Sequence, residues 1–96
     1  MAKTPEGKVK DQVKRILDKY EFWHFSPPGM GLGRAGIPDI IGCKGGRFIA
    51  VECKAGKGKT TLLQERELQN IRLAGGYAVV INELNLHELE NEVMKW

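Results

Sequence analysis

Several things are scarce in this chain, and each scarcity excludes something. No uninterrupted apolar run is long enough to cross a membrane. The opening MAKTPEGKVK holds no apolar segment of the kind a secretion signal needs, so no signal peptide is expected. The only cysteines, Cys43 and Cys53, fall in or beside predicted strands and lack the spacing of a metal cluster. They read as reduced, packed thiols of a cytoplasmic protein. The histidines, His24 and His87, stand alone, and His24 reads as a packed or surface residue of an edge strand. Trp23 beside it reads as core packing rather than a base-stacking group. No repeat, low-complexity tract or domain boundary interrupts the 96 residues. One domain spanning 1–96 is expected, with a core thin enough to favour oligomerisation.

Acidic residues are scarce in one part of the chain. Residues 1–60 carry 12 Lys/Arg against 6 Asp/Glu, a net of +6, while residues 61–96 carry 3 against 6, a net of −3. A basic surface raises the local concentration of a polyanion by long-range attraction. The plain alternative is a solvated lysine-rich helix face, which suffices for Lys8, Lys10, Lys14 and Arg15.

What is present reads as α-β-β-β-α-β-α. Thr4-Pro5-Glu6 has the order of a helix start, and Val9, Val13, Ile16, Leu17 and Tyr20 then recur at helical spacing. Residues 21–25 read as a short strand. The loop SPPGMGLGRAG, with two prolines and four glycines in 11 residues, is neither helix nor strand. Ile37 to Cys43 and Arg47 to Lys54 read as strands joined by a Gly45-Gly46 hairpin turn. A helix capped by Thr60 or Thr61 runs to about Ala74, a strand follows over Tyr77 to Asn82, and Asn85 with Glu88 has the pattern of a capping box before a last helix.

The hairpin poses the central question. Side chains alternate along a strand, so Phe48, Ala50, Glu52 and Lys54 share one face and Ile49, Val51 and Cys53 the other. Both faces are apolar until Glu52, which predicts a central strand with helices on each side. A turn at residues 45–46 places Asp39 beside residues 52–54. Two carboxylates and an ammonium then meet at the end of a buried strand, where charge is costly unless paired or metal-bound. A divalent cation with hard oxygen ligands removes that cost, and with a lysine nearby it makes a phosphodiester hydrolysis site. Lys54 could instead pair with Glu52, but neighbours two apart on one strand face are expected to be too far apart for an easy salt bridge.

Gly36-Ile37-Pro38-Asp39 followed by Glu52-Cys53-Lys54 is the PD-(D/E)xK nuclease pattern. With Glu6 in the first helix, the glycine-rich loop and Gln64 in the next helix, the chain resembles the VRR-NUC family over roughly residues 5–82. It is similar to that family's minimal, single-domain viral and bacterial members. The resemblance implies a restriction-endonuclease-like α/β core and a Mg²⁺- or Mn²⁺-dependent nuclease. It implies Asp39, Glu52 and the Cys53 carbonyl as metal ligands, with Lys54 positioning the attacking water. It implies Glu6 as a group behind the ligands or on a second metal, and Gln64 as a support of the site. Action on branched DNA such as four-way junctions, as a homodimer in a bacterial or phage-infected cell, is implied as well. Where the family carries arginines after the catalytic lysine, this chain has Lys57 and Lys59.

Other readings stand beside these. Glu6 suits a first helical turn through the helix dipole alone, although its phase with Val9 and Val13 turns it inward. Gln64 with Thr61 fits a capping box as well as a site role. Gly31-Leu32-Gly33-Arg34-Ala35-Gly36 matches a dinucleotide fingerprint but leads into a strand rather than a helix, and Gly58-Lys59-Thr60 lacks the first glycine of a P-loop. No nucleotide cofactor is expected. Arg34, Lys8, Lys57, Lys59 and the amides of Thr60 and Thr61 are expected to meet DNA phosphates. Tyr77, Leu86, Leu89 and Trp96 are the expected dimer surface. The rival functions are a non-catalytic DNA-binding module and a nuclease subunit of a larger phage assembly.

Overall fold

In the computed structural model, which describes residues 3–28 and 33–96, the chain runs α1 (Pro5–Lys19), β1 (Trp23–Phe25), β2 (Ile40–Lys44), β3 (Arg47–Cys53), α2 (Leu62–Leu73), β4 (Tyr77–Ile81) and α3 (Leu86–Val93). Both the expected order and the α/β class are borne out. The middle of the glycine-rich loop, residues 29–32, lies outside the described residues. Among the described residues, no helix is long and apolar enough to cross a membrane.

The sheet has the order β1-β2-β3-β4, with β1–β2 and β2–β3 antiparallel and β3–β4 parallel. Gly45 and Gly46 both take positive φ (59° and 79°), which a two-residue hairpin turn demands. The parallel β3–β4 pair needs a crossover, and α2 supplies it. Thr4 caps α1 by accepting from the Gly7 amide at 3.0 Å, with Pro5 in the first turn where its missing N–H costs nothing.

The two sheet faces are covered unequally. On one, α1 and α3 close Val9, Val13, Leu17, Ile49, Val51, Cys53, Ile81, Leu89 and Val93 into a core. On the other, α2 closes Ala50, Leu68 and Ala78, with Ile41, Ile71 and Val80 beside them. The alternation along β3 therefore sorts as expected. The register carries the second face outward in two rows, Trp23–Cys43–Phe48 and Phe25–Ile41–Ala50–Ala78. There Trp23 is 64% exposed and Phe48 41%, and Phe25 and Cys43 are exposed too. Neither Trp23 nor Cys43 is packed, contrary to the sequence reading: α2 lies over β3 and β4 and leaves β1 and much of β2 uncovered.

Two further expectations are corrected. Tyr77, Leu86, Leu89 and Trp96 face inward: Leu89 is fully buried, and Trp96 packs on Phe22 (5.2 Å between ring centroids) and Tyr77 (5.9 Å). Tyr77, Leu86 and Trp96 are half-buried against the same core, so this stripe is largely spent inside the domain. Asn85 makes no side-chain cap on α3; it accepts from the Asn82 amide (2.7 Å) and donates to the Val80 carbonyl (3.1 Å), pinning the β4–α3 turn instead.

Candidate active site

The hairpin builds the centre of the site. The register pairs Ile40 with Val51, and one step further out it sets Asp39 across from Glu52. Asp39 Oδ2 accepts from the Cys53 amide at 2.8 Å, which locks the aspartate to the end of β3. Glu52 is buried, at 2% exposure. Burial, and then Asp39 beside it, pushes the Glu52 carboxyl up to about 7, with Lys54 pulling the other way. Burial first, then Asp39 and Glu52, pushes the Cys53 thiol up to about 12. It therefore stays neutral and offers no thiolate.

Lys54 Nζ stands 3.3 Å from Glu52 Oε2, so the pair judged too distant from strand spacing does form. A lysine stem spans the gap that two fixed Cβ atoms leave. Glu52 Oε1 is buried and finds no hydrogen-bond partner among the described residues. A buried carboxylate oxygen of this kind, next to a second carboxylate, fits a hard divalent cation. Among the described residues no group of three or more His, Cys, Asp or Glu side chains converges, so side chains bring two carboxylates and no third ligand.

The flanking residues divide. Glu6 is exposed, because the α1 stripe is buried only from Val9 onward. Its charge still reaches the Cys53 thiol. Gln64 forms the capping box: Oε1 accepts from the Thr61 amide (2.9 Å), and the Gln64 amide donates to Thr61 Oγ1 (3.1 Å). It also lines a cleft of about 360 Å³ together with Pro27, Arg34, Gly36 and Asp39, so its two readings coexist. Because its amide is already used, Thr61 does not present a free N–H to a phosphate, contrary to expectation. The Thr60 hydroxyl donates to Glu65. Lys8, Lys57 and Lys59 are exposed.

Gly36 explains how the loop reaches Asp39. Its φ is +81°, and a Cβ there would stand 2.6 Å from the Leu63 carbonyl oxygen. Only glycine lets the loop press this closely on the start of α2. Arg34 does not point free: its guanidinium lies against Glu67, a buried carboxylate on α2. The contact balances charge without good hydrogen-bond geometry, since Glu67 Oε2 has no hydrogen bond.

Sequence reasoning missed two residues. Lys10 Nζ lies 3.5 Å from Asp39 Oδ1, although it was assigned to the solvated face of α1. Glu67, the partner of Arg34, had no part in the sequence reading. Lys10 stands three residues before Val13 and seven before Leu17, and Glu67 three after Gln64 and four before Ile71, so helical phase could have flagged both.

This fold and this paired-carboxylate hairpin define a PD-(D/E)xK-type nuclease. A solved structure titled VRR_NUC domain superposes with a TM-score of 0.70 at 23% identity, over 97% of this chain and 94% of that one, and so shares the fold. The family model of the archaeal Holliday junction resolvase (Hjc) matches residues 9–73, a span that holds Asp39, Glu52, Lys54 and Gln64. The chain belongs to the Hjc family, and its class is that of nucleases acting on branched DNA. No match was found among curated protein sequences.

Proposed function

We propose that the protein is a divalent-cation-dependent endonuclease that cuts branched DNA, four-way junctions among them, as a homodimer. The observation that carries the reading is the unpartnered Glu52 Oε1, buried in a carboxyl held up to about 7 beside a second carboxylate. The Arg34–Glu67 ion pair also leaves an oxygen without a hydrogen bond, but no second carboxylate stands against it, and that added repulsion is what sets Glu52 apart.

Asp39, Glu52 and the Cys53 carbonyl would hold Mg²⁺ or Mn²⁺, which when bound acidifies water and stabilises charge on the phosphorane. Lys54, held against Glu52, would supply an ammonium to the attacking water or a phosphate oxygen. The Cys53 amide fixes one oxygen of Asp39, and the other, beside Lys10, would be left for the cation. Gln64, whose Oε1 belongs to the cap, keeps its amide nitrogen for the cleft. Glu6 is at most a charge behind the ligands or on a second cation, since it stands outside the carboxylate pair. Lys8, Lys57 and Lys59 supply exposed positive charge for the DNA backbone. Arg34 joins them only if it leaves Glu67.

The dimer surface in this reading is the open sheet face with Trp23, Phe25, Ile41 and Phe48, in place of Tyr77, Leu86, Leu89 and Trp96, which pack on the domain's own core. A second copy placed on it covers what α2 leaves bare. The setting is the cytoplasm of a bacterial or phage-infected cell, and the domain is the whole of residues 1–96. Labelled single-stranded, duplex, flap and four-way junction DNA, incubated with Mg²⁺, Mn²⁺ or EDTA, tests the chemistry. Cutting that needs the cation and disappears in Glu52→Ala is expected. Salt-dependent binding without cutting under any cation would make the protein a DNA-binding module.

A further inference from the structure

Two lysines hold the carboxylate pair, and they are held differently. Lys54 grows from the strand end and its side chain is 13% exposed. Lys10 grows from α1, its side chain is 31% exposed, and at 3.5 Å from Asp39 Oδ1 it supplies charge without a well-made hydrogen bond. The other oxygen of Asp39 is fixed by the Cys53 amide at 2.8 Å. Asp39 thus has one oxygen tied to the backbone and one facing a loosely placed ammonium.

A divalent cation and an ammonium cannot share that oxygen without repulsion. The backbone amide cannot move away, and the Lys54 side chain has little solvent to move into. Lys10 can move, because a lysine is a compact charge on a flexible four-carbon stem. The anion it would meet outside the pair is the DNA phosphate that brings a substrate to this site. Resting on the reading that Asp39 and Glu52 take a divalent cation, we propose that Lys10 is a positioning residue. It is the resident counter-ion of Asp39, which the cation displaces and which then contacts the DNA backbone. Cation and DNA consequently raise each other's affinity, since the cation frees Lys10 for the phosphate and the phosphate draws Lys10 off Asp39.

The test uses the full chain and two readouts apart from activity. Mn²⁺ binding without DNA is followed by the EPR signal of free Mn²⁺ in wild type, Lys10→Met, Lys10→Arg, Lys14→Met and Glu52→Ala. Lys10→Met is expected to bind Mn²⁺ about tenfold more tightly, the size of one ion-pair contact at a partly exposed site. Lys10→Arg and the off-site Lys14→Met stay within about twofold of wild type on the same grounds. Four-way junction binding is then measured against salt, with Ca²⁺ or with EDTA. Loss of one phosphate contact lowers the slope of log affinity against log salt by about 0.9. That loss is expected for Lys10→Met with Ca²⁺ and absent in EDTA. Equal Mn²⁺ affinity in wild type and Lys10→Met, with binding abolished in Glu52→Ala, overturns the role of Lys10 and leaves the cation reading standing. An equal slope loss in Ca²⁺ and EDTA overturns the displacement. Absence of Mn²⁺ binding from every form overturns the cation reading and this inference with it.

Discussion

The two faces of one sheet divide the work of this molecule. Under α1 and α3, large side chains such as Leu17, Ile49, Val51, Leu89 and Val93 lose all contact with water. Under α2 the buried apolar cluster is two alanines and Leu68, and the neighbouring strands show Trp23, Phe25 and Phe48 to solvent. Glu52 alternates onto the side of Phe48 and Ala50, the poorly covered one. Burial of apolar area is the main favourable term in folding. The well-covered face therefore carries most of the stability, and the other is left free to hold a costly pair of charges.

The largest expected effect sharpens this contrast. Leu17→Ala, in the rich core, should lose about 4 kcal/mol, measured by urea unfolding. Phe48→Ser, on the poor face, should lose less than about 1 kcal/mol. Comparable losses from the two would break the division.

Next in size is the carboxylate pair itself. A carboxyl whose folded pKa lies near 7, above the ordinary 4.5, binds its proton more tightly folded than unfolded. Its contribution is favourable to folding at low pH and is lost as pH rises from 4.5 through 7. Glu52→Gln should therefore stabilise the cation-free protein by about 3 kcal/mol at pH 8 and by only about 1 kcal/mol at pH 5. Equal melting shifts at both pH values would mean that Glu52 carries no such strain. Saturating Mn²⁺ should reverse the order at pH 8, with wild type gaining stability and Glu52→Gln gaining little.

Gly36→Ala should lose about 2 kcal/mol, because both the positive φ and the approach to Leu63 are lost. Cleavage should fall with it, as Asp39 lies three residues on. The smallest effect on stability, and a large one on assembly, is expected of the double variant Trp23→Ser, Phe48→Ser. Light scattering should move from twice the 10.7 kDa chain mass to the single chain, with the melting temperature of the monomer little changed. A wild-type mass of 10.7 kDa at micromolar concentration would remove the dimer from the proposal.

The hairpin was legible because its logic is local. Strand alternation and a Gly-Gly turn are enough to bring Asp39 to Glu52, and both are visible in nineteen consecutive residues, 36–54. The α2 capping box was legible for the same reason. What stayed hidden depends on where a helix lands. The periodicity of α1 shows which stripe is apolar but not how far its first turns reach beyond the strands, so Glu6 was turned inward and Lys10 outward. The place of α2 across the sheet decides that Trp23 is bare, and no spacing in the sequence encodes it. The α3 stripe is legible as apolar, but its spacing does not show that α1 covers Leu89 and Val93 and half-buries Leu86.

The Gly-Gly hairpin also sets the order in which the site comes into being. Asp39 and Glu52 belong to one two-stranded ribbon, whereas Lys10 and Gln64 arrive on helices and β3 meets β4 only after the α2 crossover. Hairpins close in about 1–10 µs, well before parallel pairings of longer sequence separation. During refolding the two acids thus meet while water still surrounds them, and the cost of their proximity falls due only when the helices close. Refolding of wild type should accordingly be slower at pH 8 than at pH 5, with Glu52→Gln little affected, and stopped-flow refolding of the two side by side would read the difference.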